Sequence, residues 1–192
     1  MNTFTNKEEL LIAIENSTVL DYSKLRLLMN SNIISTDKKI VLAIVSRHGH
    51  LLSYASEELK KDREVVLAAV SNDEFALDYA SKELEADREV VLTAVSNYGL
   101  ALEYASKELK ADKEVVLTAV SNDGFALRFA SEELKKDREV VLAAVSNNGF
   151  ALNYVSEEFK TDKEVVLAAN SNEGGITRQE LDRLLEENLH TC

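Results

Sequence analysis

The chain has 192 residues, of which 45% are hydrophobic, and a formal net charge of −12 at pH 7. The apolar content is sufficient for a buried core, whereas the negative charge disfavours binding to nucleic acid, because phosphates would be repelled. No apolar stretch approaches the roughly 18 residues of a membrane-spanning helix, and the N-terminus does not resemble a signal peptide, so we expect a cytoplasmic protein without a membrane segment.

The N-terminal region, residues 1–36, predicts a divergent copy of a repeat that becomes regular further along the chain. Residues 6–16 read NKEELLIAIEN and fit the repeat without gaps, but extra residues separate this copy from the next. Atypical end units often cap repeat arrays. We therefore predict an N-terminal capping repeat here.

A regular unit of 25 residues follows, and an aspartate begins each copy. The phrase after Asp87, REVVLTAVSN, is typical of a helix. Aspartate is a favourable N-cap, the glutamate two positions later suits the positive end of the helix dipole, and the apolar run suits a helix packed between neighbours. The copies begin at Asp37, Asp62, Asp87, Asp112, Asp137 and Asp162.

A glycine is predicted to end this helix in most copies. Glycine adopts positive φ angles without a Cβ clash, so we expect a left-handed backbone at this position. Glu74 replaces the glycine in one copy. Five of the six glycines occupy this position: Gly49, Gly99, Gly124, Gly149 and Gly174.

The second half of each unit predicts a second, amphipathic helix. In one copy Ala126, Ala130 and Leu134 recur at i, i+4 and i+8, and Leu127 lies beside them. The next aspartate follows within three residues, which is typical of antiparallel helix pairs. A leucine-rich repeat is the alternative fold. It requires a strand with alternating leucines, whereas the run here is contiguous and contains alanine.

The C-terminal region, residues 162–192, predicts a partial repeat and a capping helix. Thr177 to Glu180 form a capping box. A calcium loop over residues 169–180 is the alternative, but Ala169 stands where the first ligand should be an aspartate. The apolar stripe of the predicted helix consists of Leu181, Leu184, Leu185 and Leu189.

Together these elements predict an all-α fold, an α-solenoid of 25-residue helix-turn-helix repeats with divergent N-terminal and C-terminal capping units. Residues 37–161 are predicted to contain five repeats. Because capped ends cannot stack on other copies, we expect a monomer.

Two phrases of the repeat resemble a known family. DREVVLAAV, followed by GFALxYASEEL, is similar to the repeat of the domain of unknown function 4116 family over about residues 37–172. The resemblance implies a helical repeat array of the kind found in proteins of intracellular bacteria and protists, some of them host-directed effectors. It implies no catalytic residue and no cofactor.

No residue pattern points to catalysis, a cofactor or a metal site. Most carboxylates recur in every repeat at capping or solvent positions, and the single cysteine, Cys192, is the last residue. His48 and His50 offer two metal ligands, but a metal site needs further ligands that converge from elsewhere. We therefore expect a non-enzymatic protein.

The aromatic residues at one position of the repeat have two interpretations. They form either a stacking surface for a ligand or a ladder buried between successive second helices. Their recurrence favours the buried ladder. They are Tyr54, Tyr79, Tyr104, Phe129 and Tyr154.

Two other positions vary most between copies, and we predict that they form one partner-binding edge. The alternative is neutral drift at solvated positions. The first column, before the turn glycine, comprises His48, Asp73, Tyr98, Asp123 and Asn148. The second, in the middle of the second helix, comprises Ser53, Asp78, Glu103, Arg128 and Asn153.

The charge distribution indicates what kind of partner this edge binds. Residues 37–61 contain five basic and three acidic residues, whereas residues 62–86 contain two basic and seven acidic ones. Asp73, Glu74 and Asp78 lie on the predicted edge, so a basic partner surface is expected there.

The predicted function is therefore protein–protein interaction by a scaffold, as a bacterial effector or regulator, with delivery into a host cell if it is an effector. An acidic nucleic-acid mimic is the alternative. A mimic should carry negative charge at regular spacing, whereas the central repeats are near neutral and the first regular repeat is positive.

Overall fold

A computed structural model describes residues 7–15, 22–30 and 32–171, and the regular secondary structure of these residues is entirely helical. This confirms the all-α solenoid class and excludes the leucine-rich alternative, whose strand would occupy the place of the first helices. The α-helices are α1 (Lys7–Glu15), α2 (Tyr22–Met29), α3 (Asn32–Ser35), α4 (Lys38–Val45), α5 (Arg63–Val70), α6 (Lys82–Glu85), α7 (Arg88–Asn97), α8 (Lys113–Asn122), α9 (Arg138–Asn147), α10 (Glu157–Lys160) and α11 (Lys163–Asn170). The 3₁₀ helices are Gly49–Tyr54, Leu59–Lys61, Ala76–Tyr79, Gly99–Tyr104, Leu109–Ala111, Gly124–Phe129, Leu134–Lys136 and Gly149–Tyr154.

Each regular first helix begins directly after its aspartate. Oδ1 of Asp137 accepts hydrogen bonds from the backbone N–H groups of Glu139 and Val140, at 3.0 and 3.2 Å. These bonds satisfy two of the amides that a helix leaves unpaired at its N-terminus. The predicted N-cap role is thereby confirmed. Equivalent bonds are made by Asp37, Asp62, Asp87, Asp112 and Asp162.

The core of each regular repeat comes from both halves of the unit. Full burial of a valine or leucine side chain contributes roughly 1.5–3 kcal/mol relative to an exposed one, so the repeated apolar run is the main source of stability. In the copy that begins at Asp112 the fully buried side chains are Val115, Val116, Ala119, Val120, Ala126 and Leu127.

The second half of the repeat is not the single helix that was predicted. The 3₁₀ helix Gly124–Phe129 is followed by Ala130, whose backbone is extended, with φ −63° and ψ 158°. Ser131 then donates its backbone N–H to the carbonyl of Lys110 in the preceding repeat, at 2.9 Å. A continuous α-helix would use this N–H internally, so the bond between repeats accompanies the break. Ser56, Ser81 and Ser156 donate in the same way to Ser35, Lys60 and Lys135.

The chain divides into two compact units, Met1–Thr93 and Ala94–Cys192. In the first unit α4 packs against α5, and Gly49–Tyr54 packs against Ala76–Tyr79. In the second unit α8 packs against α9 and α9 packs against α11, while the successive 3₁₀ helices that begin at the turn glycines contact one another. Each unit therefore has a layer of α-helices and a layer of 3₁₀ helices.

Part of the predicted C-terminal capping unit lies outside the described residues. This applies to the capping helix with its capping box, to the C-terminal part of the calcium-loop alternative, and to Gly174, His190 and Cys192. Among the residues that are described, no helix combines the length and the apolar character that crossing a membrane requires.

Candidate functional site

The turn glycine is required by a close approach between repeats and not by a left-handed backbone. None of Gly49, Gly99 and Gly124 has a positive φ angle, so the prediction is wrong for these three glycines. A Cβ at Gly124 would lie 2.4 Å from the carbonyl oxygen of Ala144 and 2.9 Å from Cβ of Asn148. Both neighbours belong to the next repeat. Glycine therefore allows two repeats to pack at this distance.

Glu74 stands at the glycine position in one repeat. Its side chain is half-buried. The 3₁₀ helix that follows spans only Ala76–Tyr79, whereas glycine-bearing repeats have six-residue helices such as Gly124–Phe129. In the repeat with Glu74 the 3₁₀ helix therefore starts after this position, whereas in the glycine-bearing repeats it starts at the glycine itself.

An asparagine of the following repeat binds this glycine. Oδ1 of Asn147 accepts the backbone N–H of Gly124 at 2.7 Å, and Nδ2 of the same side chain donates to the carbonyl of Ser121 at 2.9 Å. Asn122 accepts from Gly99 in the same way, at 2.8 Å. The asparagine therefore closes the C-terminus of the preceding α-helix, the role predicted for the glycine.

Ion pairs join successive first helices. The Arg138 guanidinium lies 2.8 Å from the carboxylate of Asp162 and 2.5 Å from that of Glu164. In the sequence, these ion pairs correspond to the basic residue that directly follows every regular N-cap aspartate. We call this set the ion ladder, and its members are Lys7–Asp37, Lys38–Asp62–Glu64, Arg63–Asp87–Glu89, Lys113–Asp137–Glu139 and Arg138–Asp162–Glu164.

The ion ladder keeps its aspartates ionised. A hydrogen bond from Arg63 lowers the pKa of Asp87, and the two capping amides lower it further, which outweighs the opposite effect of burial. Hydrogen bonds from Lys113 and Arg138 are likewise the largest causes that lower the pKa of Asp137 and of Asp162. These carboxylates therefore have two structural roles, as helix caps and as links between repeats.

The first variable column is half-buried and partly structural. The side chains of Asp73, Asp123 and Asn148 each accept the backbone N–H of a phenylalanine two residues later, at 3.0, 2.9 and 3.0 Å. His48 and Tyr98 make no such cap. This column thus helps to fix the start of three 3₁₀ helices, and its role in partner binding stays a prediction.

The two histidines form a contact between repeats of the first unit. Nδ1 of His50 lies 2.8 Å from Oδ2 of Asp73, and the His48 ring meets the His50 ring edge-on, with centroids 6.3 Å apart. Burial, followed by the charges of His50 and Arg47, lowers the pKa of His48. Within the described ranges, no three His, Cys, Asp or Glu side chains are grouped so that they could hold a metal ion.

The second variable column lies on the exposed side of the 3₁₀ helices. Four of its members are exposed, and Ser53 is half-buried. Residues three apart in a 3₁₀ helix lie above one another, so each member shares a face with the residue that follows the turn position. We call this surface of each unit its 3₁₀ face. Its pairs are His50 with Ser53 and Phe75 with Asp78 in the first unit, and Leu100 with Glu103, Phe125 with Arg128, and Phe150 with Asn153 in the second.

The 3₁₀ face exposes aromatic rings that sequence reasoning missed. Phe75 and Phe150 are each 49% exposed. Phe125 stacks on Phe150, with centroids 6.4 Å apart and an interplanar angle of 8°, and meets Tyr154 edge-on at 6.2 Å. In the sequence, these phenylalanines stand at the position that directly follows the turn glycine or Glu74. That position varies among histidine, phenylalanine and leucine, and this variation could have marked it as part of the variable surface.

The recurring aromatic column is half-buried, so the prediction of a buried ladder is wrong in this respect. Each of these residues is the last residue of its 3₁₀ helix, where the chain becomes extended, and its ring is partly open to solvent. The guanidinium carbon of Arg128 lies 4.4 Å from the Phe129 ring centroid. The half-buried members are Tyr54, Tyr79, Tyr104, Phe129 and Tyr154.

Comparison with known families matches the regular repeats. The family described as Domain of unknown function (DUF4116) matches residues 37–85, 87–135 and 137–176, and each match begins at a helix-capping aspartate. The first two matches each span two 25-residue units. No curated protein and no solved structure matches the chain. Because the matches cover more than half of the sequence and follow the repeats seen in the fold, the chain belongs to the DUF4116 family.

Proposed function

We propose that this protein is a non-enzymatic scaffold that binds a partner protein through its 3₁₀ face. The observation that carries the proposal is the cluster of Phe125, Phe150 and Tyr154, in which a half-exposed ring is supported by other rings. Large aromatic side chains and arginine provide most of the binding energy at protein interfaces. The repeat stack presents them on regular elements, and their identities change from one repeat to the next.

The roles of the carboxylates support the non-enzymatic part of the proposal. The aspartates at the helix starts are occupied by capping and by the ion ladder, and Asp123 caps a 3₁₀ helix. A catalytic carboxylate needs a partner group and a substrate cleft, and it is commonly marked by a strongly perturbed pKa. The pKa shifts of the aspartates arise from contacts that repeat along the array.

In the first unit the 3₁₀ face fits a basic partner segment. The exposed ring of Phe75 and the exposed carboxylate of Asp78 share one face. Asp73, by contrast, is bound to His50. A partner that places an apolar side chain beside a lysine or arginine would complement the ring and the charge.

We place this activity in the cytoplasm of a bacterium, as a regulator, or of its host, as a delivered effector. The family resemblance of the repeat implies relatives in intracellular bacteria and protists, and this implication supports the setting. The protein acts as a monomer in this proposal, because divergent end units disfavour the stacking of one copy on the end of another.

The proposal is tested by affinity capture with the full chain. Bacterial and host-cell lysates are passed over the wild type, Phe125→Ala/Phe150→Ala and Leu167→Ala, and bound proteins are quantified by mass spectrometry. Leu167 is a matched control because it is 51% exposed but lies on α11, in the other layer. We expect a specific partner to be lost from the double variant by roughly tenfold or more, as for anchor residues of an interface, and retained by the control.

Other outcomes would change the assignment. If the double variant retains every captured protein while its thermal unfolding matches the control, the 3₁₀ face is not the binding surface. Capture of nucleic-acid-binding proteins that are released at high salt would instead favour the acidic mimic. A partner of the first unit should be lost on Asp78→Lys, which leaves the contacts of Asp73 to His50 and to the Phe75 amide unchanged.

A further inference from the structure

Arg128 is an unpaired cation on the 3₁₀ face of the second unit. Its side chain is exposed and has no acidic partner among the residues that the structure describes. Nearby carboxylates are engaged elsewhere, since Glu132 binds Lys135 at 2.8 Å and Asp123 caps the Phe125 amide.

The guanidinium of Arg128 is oriented by an aromatic ring. Its central carbon lies 4.4 Å from the centroid of Phe129. Stacking on a ring leaves the N–H groups at the guanidinium edge available, and this planar set of donors matches the two oxygens of a carboxylate. The side chain is therefore prepared to receive an anion.

An apolar surface lies next to this cation. Phe125 precedes Arg128 by three residues in one 3₁₀ helix, so the two side chains share a face. Phe125 also stacks on Phe150, which is 49% exposed. The surface therefore offers one site for an anion and, beside it, one for an apolar group.

We infer that the second unit binds an extended segment of a partner protein that presents a carboxylate to Arg128 and an adjacent aromatic or aliphatic side chain to Phe125 and Phe150. This inference rests on the proposed function and specifies the partner's chemistry. A single carboxylate fits better than a polyphosphate, because the edge of one guanidinium matches the two oxygens of one carboxylate, whereas a polyphosphate is bound by several cations.

The test is selection of random peptides displayed on phage against the immobilised full chain. We expect peptides selected by the wild type to share an aspartate or glutamate next to an aromatic or aliphatic residue. Affinities of the selected peptides are then measured by fluorescence polarisation for the wild type, Arg128→Glu, Arg128→Lys and Arg26→Glu. Arg26 is a matched control, because it is also exposed and lies 5.9 Å from the Tyr54 ring, in the other unit.

Arg128→Glu should weaken binding of the selected acidic peptides by roughly 10- to 100-fold, the loss expected when a charge-assisted hydrogen bond is removed. Arg128→Lys should bind with intermediate affinity, because an ammonium cannot make the paired hydrogen bonds of a guanidinium. Arg26→Glu should leave the affinity within about twofold. A new selection on Arg128→Glu should replace the acidic residue of the peptides with lysine or arginine.

Three results would overturn the inference. If Phe125→Ala/Phe150→Ala abolishes peptide binding but Arg128→Glu does not, the proposed function stands and the acidic partner is wrong. If neither change affects the selected peptides, or none is selected, the inference fails, and partner capture decides the proposed function separately. Self-association in analytical ultracentrifugation that is lost in Arg128→Glu would assign this surface to a second copy of the chain.

Discussion

At the scale of single residues, the turn glycine is required because any side chain at its position would collide with the next repeat. The Cβ position of Gly124 lies 2.4 Å from a backbone oxygen of the next repeat, and that of Gly49 lies 2.3 Å from the equivalent oxygen. A backbone oxygen held within a hydrogen-bonded helix cannot move aside as a flexible side chain could. Any larger residue must therefore shift one repeat against its neighbour.

Gly124→Ala should lower the free energy of unfolding by about 1–3 kcal/mol, the usual cost of overpacking. The loss should be seen in urea denaturation monitored by circular dichroism. Asn153→Ala, an exposed change on the following 3₁₀ helix, serves as the control and should alter stability by less than about 0.5 kcal/mol. An alanine variant as stable as the wild type would show that the close approach does not select glycine here.

At the scale of elements, α7 and α8 are completed from outside their own repeats. The N-terminus of α8 is capped by its own Asp112, but at its C-terminal end the Asn147 amide of the next repeat accepts from Gly124 and donates to Ser121. The 3₁₀ helices have the same dependence, since Ser131 donates to the carbonyl of Lys110 in the preceding repeat. Their ends are therefore fixed by stacking.

Asn147→Asp removes the side-chain donor and places a carboxylate beside carbonyl oxygens. We expect a loss of about 0.5–1.5 kcal/mol in the free energy of unfolding, the usual contribution of one hydrogen bond, because the bond to Ser121 is exposed. Asn148→Asp is a closely matched control, because Asp123 already caps the equivalent helix in the preceding repeat. Equal urea midpoints for the two variants would argue against the role assigned to the Asn147 amide.

At the scale of the whole molecule, the ion ladder makes stability depend on pH. The pKa values of Asp87, Asp137 and Asp162 are lowered in the folded chain, chiefly by hydrogen bonds from the basic residues. A group whose pKa is lowered on folding stabilises the protein fully above its unfolded pKa, about 3.9 for aspartate. That contribution is lost as the pH falls through the lower, folded value.

Asp87→Asn/Asp137→Asn/Asp162→Asn should reduce this pH dependence. Asparagine caps helices about as well as aspartate, so the variant keeps the caps and loses the ion pairs to the three aspartates. The ion pairs to Glu89, Glu139 and Glu164 remain. Urea midpoints measured between about pH 7 and pH 3 should fall less steeply for the variant than for the wild type. High salt should reduce the difference between the two proteins at pH 7. Parallel pH profiles would show that these carboxylates are not the source of the acid sensitivity.

The repeat itself was predictable, because its signals are local. An aspartate cap, an apolar run and a period of 25 residues are properties of neighbouring residues, and they predicted the α-helices and the buried Ala126, Leu127 and Leu134. The position of the candidate site was predicted in part. Arg128 and Asn153 were assigned to a partner-binding edge and are exposed, whereas the half-exposed Phe150 beside them was not recognised.

The sequence by itself determined the class of fold, the period and the helix starts, because caps and hydrophobic patterns act within one turn of the chain. Only the tertiary structure decided why Gly124 is a glycine, what Asn147 binds and which variable residues face solvent. Those properties depend on the distance between residues that lie about one period apart, and on the 3₁₀ geometry of the second half of the unit, which contacts between repeats accompany.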